Sequence, residues 1–135
     1  MAFEWPIRVY WEDTDAGGIV FYANYLKFFE RARTEWLRAL GIGQQVLREQ
    51  TGGMFVVSET TLKYHRPARL DDELVVTVQL EQPGRAGLTL VQTALRRSAS
   101  TQPELLCEGR IRIAWVHAQT MKPERIPALV LEKFA

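Results

Sequence analysis

Residues 11–41 read WEDTDAGGIVFYANYLKFFERARTEWLRALG, and this stretch decides the fold. Three carboxylates, Glu12, Asp13 and Asp15, and the adjacent Gly17 and Gly18 precede a run with apolar or aromatic residues at Tyr22, Tyr25, Leu26, Phe28, Phe29, Ala32, Trp36, Leu37 and Leu40. Spacings that are mostly three and four predict one helix over 22–40. Its apolar set is wider than the single stripe of a surface helix, and Lys27, Glu30, Arg31, Arg33, Glu35 and Arg38 do not fall on one clean face. Such a helix is expected to be covered on most sides. Gly41 follows Leu40 directly and suits a left-handed helix closure, after a last turn whose Arg38 complements the dipole.

A carboxylate loop therefore abuts the start of a buried helix. Free N–H groups at a helix start, with the positive end of the dipole, suit an oxygen that is gaining negative charge. A carboxylate a few residues earlier is placed to attack beside that oxygen or to activate water. The plainer reading stays open, since Asp and Gly before a helix also cap it or make the turn. Calcium is excluded: counted from Asp13, the fifth loop position is Gly17 and the twelfth is Asn24, where an EF-hand needs a bidentate Glu.

With 135 residues and 47% hydrophobic composition, the chain is expected to be one globular domain spanning 1–135. A formal charge of +1, with no dense basic cluster, gives no reason to expect a nucleic-acid partner. The single cysteine, Cys107, leaves no intramolecular disulfide and no metal quartet, and reads as a small buried hydrophobe. The start, MAFEWPIRVYWED, lacks a basic segment followed by an apolar one, and no long apolar run occurs elsewhere, so no membrane span and a cytoplasmic location are expected.

Trp5–Trp11 alternates as a strand with one wet face, and 42–50 is a short surface helix. From Met54 the chain turns β-rich. Strands are predicted at Phe55–Tyr64, Glu73–Glu81, Leu88–Arg97 and Leu105–Val116, with turns at 70–72 and 83–87 and a polar loop at 98–103. Short turns between the later strands imply antiparallel hairpins. One long helix and about five strands sharing a core predict an α+β domain in which a curved antiparallel sheet wraps the helix. Little apolar material is left for a pocket inside one subunit, so a site at the helix start is expected to be completed by a second chain.

The string Val9–Val20 (VYWEDTDAGGIV), with Asn24-Tyr25 and Glu30–Glu35 (ERARTE), resembles the hotdog-fold acyl-CoA thioesterases of the 4-hydroxybenzoyl-CoA thioesterase family. Within that family it is most similar to the branch associated with the Tol-Pal gene cluster of Gram-negative bacteria. Tyr64 with Pro67–Asp72 and Met121–Pro123 extend the likeness over nearly the whole chain. The resemblance implies a thioesterase that releases free acid and coenzyme A. Its catalytic carboxylate is Asp15, acting as nucleophile through a mixed anhydride or as general base for water. A main-chain N–H near Tyr22 polarises the thioester carbonyl. Asp13 is structural, and Gly17 and Gly18 let the loop approach the substrate backbone-first.

The Tol-Pal branch usually carries histidine where this chain has Tyr22, so no imidazole acts there. The aryl-CoA branch instead has tyrosine followed by Asn-Tyr, as in Tyr22-Ala23-Asn24-Tyr25. The resemblance places Asn24 and Glu30 at the substrate. Glu30 stands where the aryl branch has an acid contacting a substrate hydroxyl, and it also reads as an ion-pair member. Lys63, Arg66, Arg69 and Arg85, with Arg96 and Arg97, are candidate partners of the coenzyme A phosphates, or simply solvated charges. His65 and His117 lie far in sequence from Asp15 and from each other, and neither supports a serine or cysteine triad or a hotdog dehydratase. No metal or separate cofactor is expected, coenzyme A being part of the substrate. Aliphatic and aryl acyl groups both stay open. The resemblance further implies a homodimer or a tetramer of two dimers. The rival class is a non-catalytic protein that binds acyl chains or an acyl carrier protein beside phospholipid synthesis.

Overall fold

The computed structural model describes residues 2–99 and 101–134; Met1 and Ala135, the ends of the expected 1–135 domain, lie outside them, as does Ser100 of the polar loop. In chain order the elements are β1 (Phe3–Arg8), 3-10 turns at Trp11–Asp13 and Tyr22–Asn24, α1 (Tyr25–Ala39), α2 (Gln44–Thr51), β2 (Gly53–Tyr64), β3 (Glu73–Pro83), β4 (Gly87–Arg96), β5 (Glu104–His117) and the short α3 (Ala128–Leu131). The strands form one antiparallel sheet in the order β1-β3-β4-β5-β2, with hairpins joining β3 to β4 and β4 to β5. The α+β hotdog architecture expected from the sequence is the one observed. No helix among the described residues is long and apolar enough to cross a membrane.

The predicted alternation holds on β4 and β5, whereas on β3 Val75 and Thr77 are buried as well, so that strand is covered on both faces. Leu74, Val76 and Val78 on β3, Leu88 and Leu90 on β4, and Ile111, Ile113 and Trp115 on β5 are all buried on the face toward α1. Cys107 belongs to the same face, and burial pushes its thiol up to about 12, so it is an inert packing residue. Gly109 lets the helix lie close: a Cβ there would come within 2.7 Å of Leu62 Cδ2 and 3.1 Å of Phe29 Cε2. Gln92, fully buried on β4, donates to the carbonyls of Phe29 (3.1 Å) and Thr77 (3.3 Å) and accepts from Arg33 (3.0 Å). Its polar groups are satisfied, and helix and sheet are pinned together.

Two expectations are corrected. The first strand ends at Arg8 rather than Trp11, because Tyr10 leaves the sheet to start the turn that Asp13 closes; Trp11 is 80% exposed. The helix starts at Tyr25 and is not covered on most sides within one subunit. It buries one stripe, Tyr25, Phe28, Phe29, Ala32, Trp36 and Leu37, while Leu26 stays 45% exposed. Each fully buried Phe contributes roughly 1.5–3 kcal/mol over leaving it in water. The stripe is anchored mainly on β1, β3 and β4, and the side toward the free edge at β2 is left open.

Candidate active site

Asp13, Asp15 and the helix start form one folded unit. Asp15 N–H donates to Ile19 O (2.9 Å) and Gly18 N–H to Asp15 O (3.0 Å), while Thr14 and Val20 bridge as in a small hairpin. Gly18 has φ of 78°, a conformation an L side chain rarely adopts, so glycine permits this turn. The Asp15 carboxylate receives the Gly17 N–H on Oδ1 at 2.8 Å. Oδ2 has no partner among the described residues, and the side chain is exposed. One oxygen is thus steered and the other is free to react.

Asp13 does the opposite job. It is 3% exposed, and its oxygens accept from Tyr10 N–H (2.8 Å) and the Asn24 side-chain amide (2.8 Å), while its carbonyl accepts from Phe21 N–H (2.9 Å). The placement of Asn24 at the substrate is therefore corrected: its side chain is buried on Asp13 and holds the turn that begins the helix. From the other side Val20 N–H donates to Ala68 O (2.9 Å), Ile19 bridges Arg69, and Ala68 N–H donates to the buried Tyr25 hydroxyl (3.3 Å). The segment 67–72 that supports the loop is itself held by Arg96, which donates to Pro67 O (3.1 Å), Asp72 (2.8 Å) and Glu104 (3.0 Å). Its hydrogen bond to Asp72 is the main reason the Arg96 guanidinium holds its proton still more firmly than usual.

Tyr22–Asn24 is a 3-10 turn whose Asn24 N–H closes onto Phe21 O at 2.8 Å. Among the described residues the N–H groups of Tyr22 and Ala23 make no hydrogen bond, which leaves two donors at the positive end of α1. The Tyr22 ring is 64% exposed, tilted on Phe21 and edge-on to Tyr64. Tyr64 donates its hydroxyl to Tyr22 O at 2.9 Å, and burial raises its pKa, so it stays a phenol at neutral pH.

The remaining candidates divide. Arg69 lies beside the loop through its bridge to Ile19 and is exposed. Glu30 sits two turns down α1, accepts from Thr34 (2.6 Å), and lines a cavity of about 190 Å³ with Arg33, Leu37, Phe55 and Val57. That volume falls short of the roughly 300–1,000 Å³ of a small-molecule pocket. Arg66 is exposed and paired with Glu104 (3.0 Å), and Arg96 is paired with both Asp72 (2.8 Å) and Glu104 (3.0 Å). Lys63 pairs in register with Glu108 on the sheet face away from α1, since its neighbour Tyr64 faces the helix. Arg85 lies in the β3–β4 turn, at the end of β4 remote from Arg96 and the Asp15 loop. Within one subunit neither Lys63 nor Arg85 joins the site. Tyr64 has no role legible in the sequence: an uncharged tyrosine at a strand end carries no signal until the strand is seen to end against Tyr22.

The Asp15 carboxylate thus stands on a tight turn before the free N–H groups at the start of the central helix of a hotdog fold. Residues 9–134 match the thioesterase-like superfamily, and the chain belongs to that family. It is 42% identical over 132 residues to the acyl-CoA thioester hydrolase YbgC of Escherichia coli O6:H1, covering 98% of this chain and 95% of that protein. Among solved structures, a probable thioesterase from Bartonella henselae superposes with a TM-score of 0.84 at 30% identity, covering 94% of this chain and all (100%) of that one. A mutant 4-hydroxybenzoyl CoA thioesterase complexed with 4-hydroxybenzoyl CoA gives a TM-score of 0.90 over 99% of both chains; at 16% identity this likeness speaks to fold alone.

Proposed function

We propose that this protein hydrolyses acyl-CoA thioesters to the free acid and coenzyme A, with Asp15 as its catalytic carboxylate. The observation that carries this is the pairing of a half-free Asp15 carboxylate with the unbonded N–H groups of Tyr22 and Ala23 at the start of α1. As general base, Asp15 takes a proton from water while the water oxygen bonds to the thioester carbon. Negative charge collects on the carbonyl oxygen at the helix start, and its collapse breaks the C–S bond and expels the thiolate. As nucleophile, a carboxylate oxygen bonds to the thioester carbon and the C–S bond breaks with loss of the thiolate, giving a mixed anhydride that water then cleaves to the acid and free Asp15. In single-turnover hydrolysis in ¹⁸O water with mass analysis of Asp15, label in Asp15 requires the anhydride, opened by water at the Asp15 carbonyl carbon.

Relatives named as acyl-CoA thioesterases support acyl-CoA substrates, and both aliphatic chains and, given Tyr22 and Glu30, aryl groups are among those to test. Thiol release from acetyl-, butyryl-, palmitoyl- and hydroxybenzoyl-CoA tests both activity and chain preference. Equal rates for wild type and Asp15→Asn would end the catalytic assignment. No release from any thioester would favour the acyl-binding or acyl-carrier-protein scaffold.

The working unit in this reading is a homodimer, or two such dimers, in the cytoplasm. β2 is a 12-residue free edge, with Val57 50% exposed beside the open side of α1, where Leu26 and Tyr22 also stand in solvent. Pairing two β2 edges about a two-fold axis covers this surface and encloses the shallow cavity at Glu30 and Arg33. It also removes water from the Asp15 turn, which strengthens every electrostatic interaction there. A fully active monomer by light scattering at assay concentration counts against it.

A further inference from the structure

We infer that Tyr64 is a positioning residue for the oxyanion-binding turn, acting through the carbonyl of Tyr22; this rests on the thioesterase reading above. The two free N–H groups belong to the peptide units Phe21–Tyr22 and Tyr22–Ala23. A peptide unit is planar, so fixing its carbonyl oxygen fixes the direction of its N–H. The carbonyl of the first unit, Phe21 O, is held within the turn by Asn24 N–H at 2.8 Å. The carbonyl of the second, Tyr22 O, is held by the Tyr64 hydroxyl at 2.9 Å, a contact reaching across 42 residues of sequence from the end of β2. That bond aims the Ala23 N–H and polarises it, because hydrogen bonds in series strengthen one another. The Tyr64 ring is independently seated, edge-on to Tyr22 at 6.3 Å and to Tyr25 at 5.7 Å, so its hydroxyl reaches Tyr22 O without being free to wander. β2 thereby sets the donor geometry at the helix start.

Tyr64→Phe tests this, since it keeps both ring contacts and removes only the hydroxyl. The variant is expected to lose about 3- to 10-fold in kcat, the scale of one hydrogen bond, at unchanged KM. Its melting temperature and its affinity for a thioether CoA analogue, which has no carbonyl to place at the turn, should match wild type. A merely structural hydroxyl would lower the melting temperature and leave kcat intact below it. Wild-type kcat in the variant overturns the inference, and so does a change confined to KM or to thioether affinity, which would make the hydroxyl a ground-state contact. Asp15→Asn is measured alongside. If that variant stays fully active, the thioesterase reading fails; if Asp15→Asn is inactive while Tyr64→Phe is fully active, only the role of Tyr64 fails.

Discussion

The two sides of the segment 13–25 are built to different standards. On the inner side, Asp13, Asn24, Tyr25 and Ala68 are 6% exposed or less, and Asp13 alone gathers N–H donors from Tyr10, Asn24 and Phe21. On the outer side, Asp15, Phe21, Tyr22 and Leu26 stand in solvent along the open flank of the helix, toward the unpaired edge of β2. One chain thus gives this turn a buried, bonded inner side and an open outer side. A buried carboxylate must have all its partners within reach or it costs several kcal/mol, whereas an exposed one is satisfied by water until a substrate replaces it. Two aspartates two residues apart thus stand in opposite environments, Asp13 buried and fully bonded, Asp15 exposed with one oxygen unbonded among the described residues.

The sharpest way to break this contrast is to neutralise each aspartate in turn. Asp15→Asn is expected to lower kcat about 100- to 10,000-fold, the range for a lost catalytic base, with the melting temperature unchanged. A stability loss with little kinetic effect would reverse the assignment. Asp13→Ala should do the converse, costing about 2–5 kcal/mol in denaturant titrations, because the Tyr10 N–H and the Asn24 amide lose their acceptor in a buried site. An Asp13→Ala protein as stable as wild type would show that the inner side is not the rigid part.

The outer side is probed through its edge. Val57→Lys places a charge on the exposed apolar surface of β2 and is expected to weaken dimerisation at least about tenfold, or about 1.4 kcal/mol. Specific activity should then follow the dimer fraction across a dilution series, and activity that ignores dissociation would separate the pocket from the edge.

The smallest effect lies at the support for segment 67–72. The hydrogen bond from Arg96, with a second from Arg66, holds the Glu104 carboxyl below the usual carboxylate range. A depressed folded-state pKa contributes stability that is present at neutral pH and is lost as pH falls from about 4.3 through the folded value. Glu104→Gln should flatten that part of the acid limb of the stability curve only slightly, the pair being partly open to solvent. An unchanged acid limb would remove Glu104 from the support of the loop.

Much of the fold was legible because its signals are local. Alternation in β3, β4 and β5 places every second side chain on the helix face whatever the partner strand, and the 25, 28, 29, 32, 36 spacing makes one helix face apolar on its own. The wet flank of α1 was not legible, since Leu26 and Tyr22 count as apolar in a pattern that cannot know where the sheet stops. Nor was Trp11, which continues the strand alternation by type and leaves it by geometry. At the site, the sequence by itself singled out the Asp13–Gly18 turn, and resemblance assigned Asp15 to catalysis and Asp13 to structure. Only the tertiary structure decided that Asn24 turns inward to Asp13, that Arg66 and Arg96 are already paired, and that Lys63 and Arg85 lie away from the loop. The physical reason is distance along the chain: contacts such as Asn24 with Asp13 and Arg66 with Glu104 join residues 11 and 38 positions apart. Neither periodicity nor propensity reaches that far, and a side chain's partner is fixed only when packing brings the two segments together.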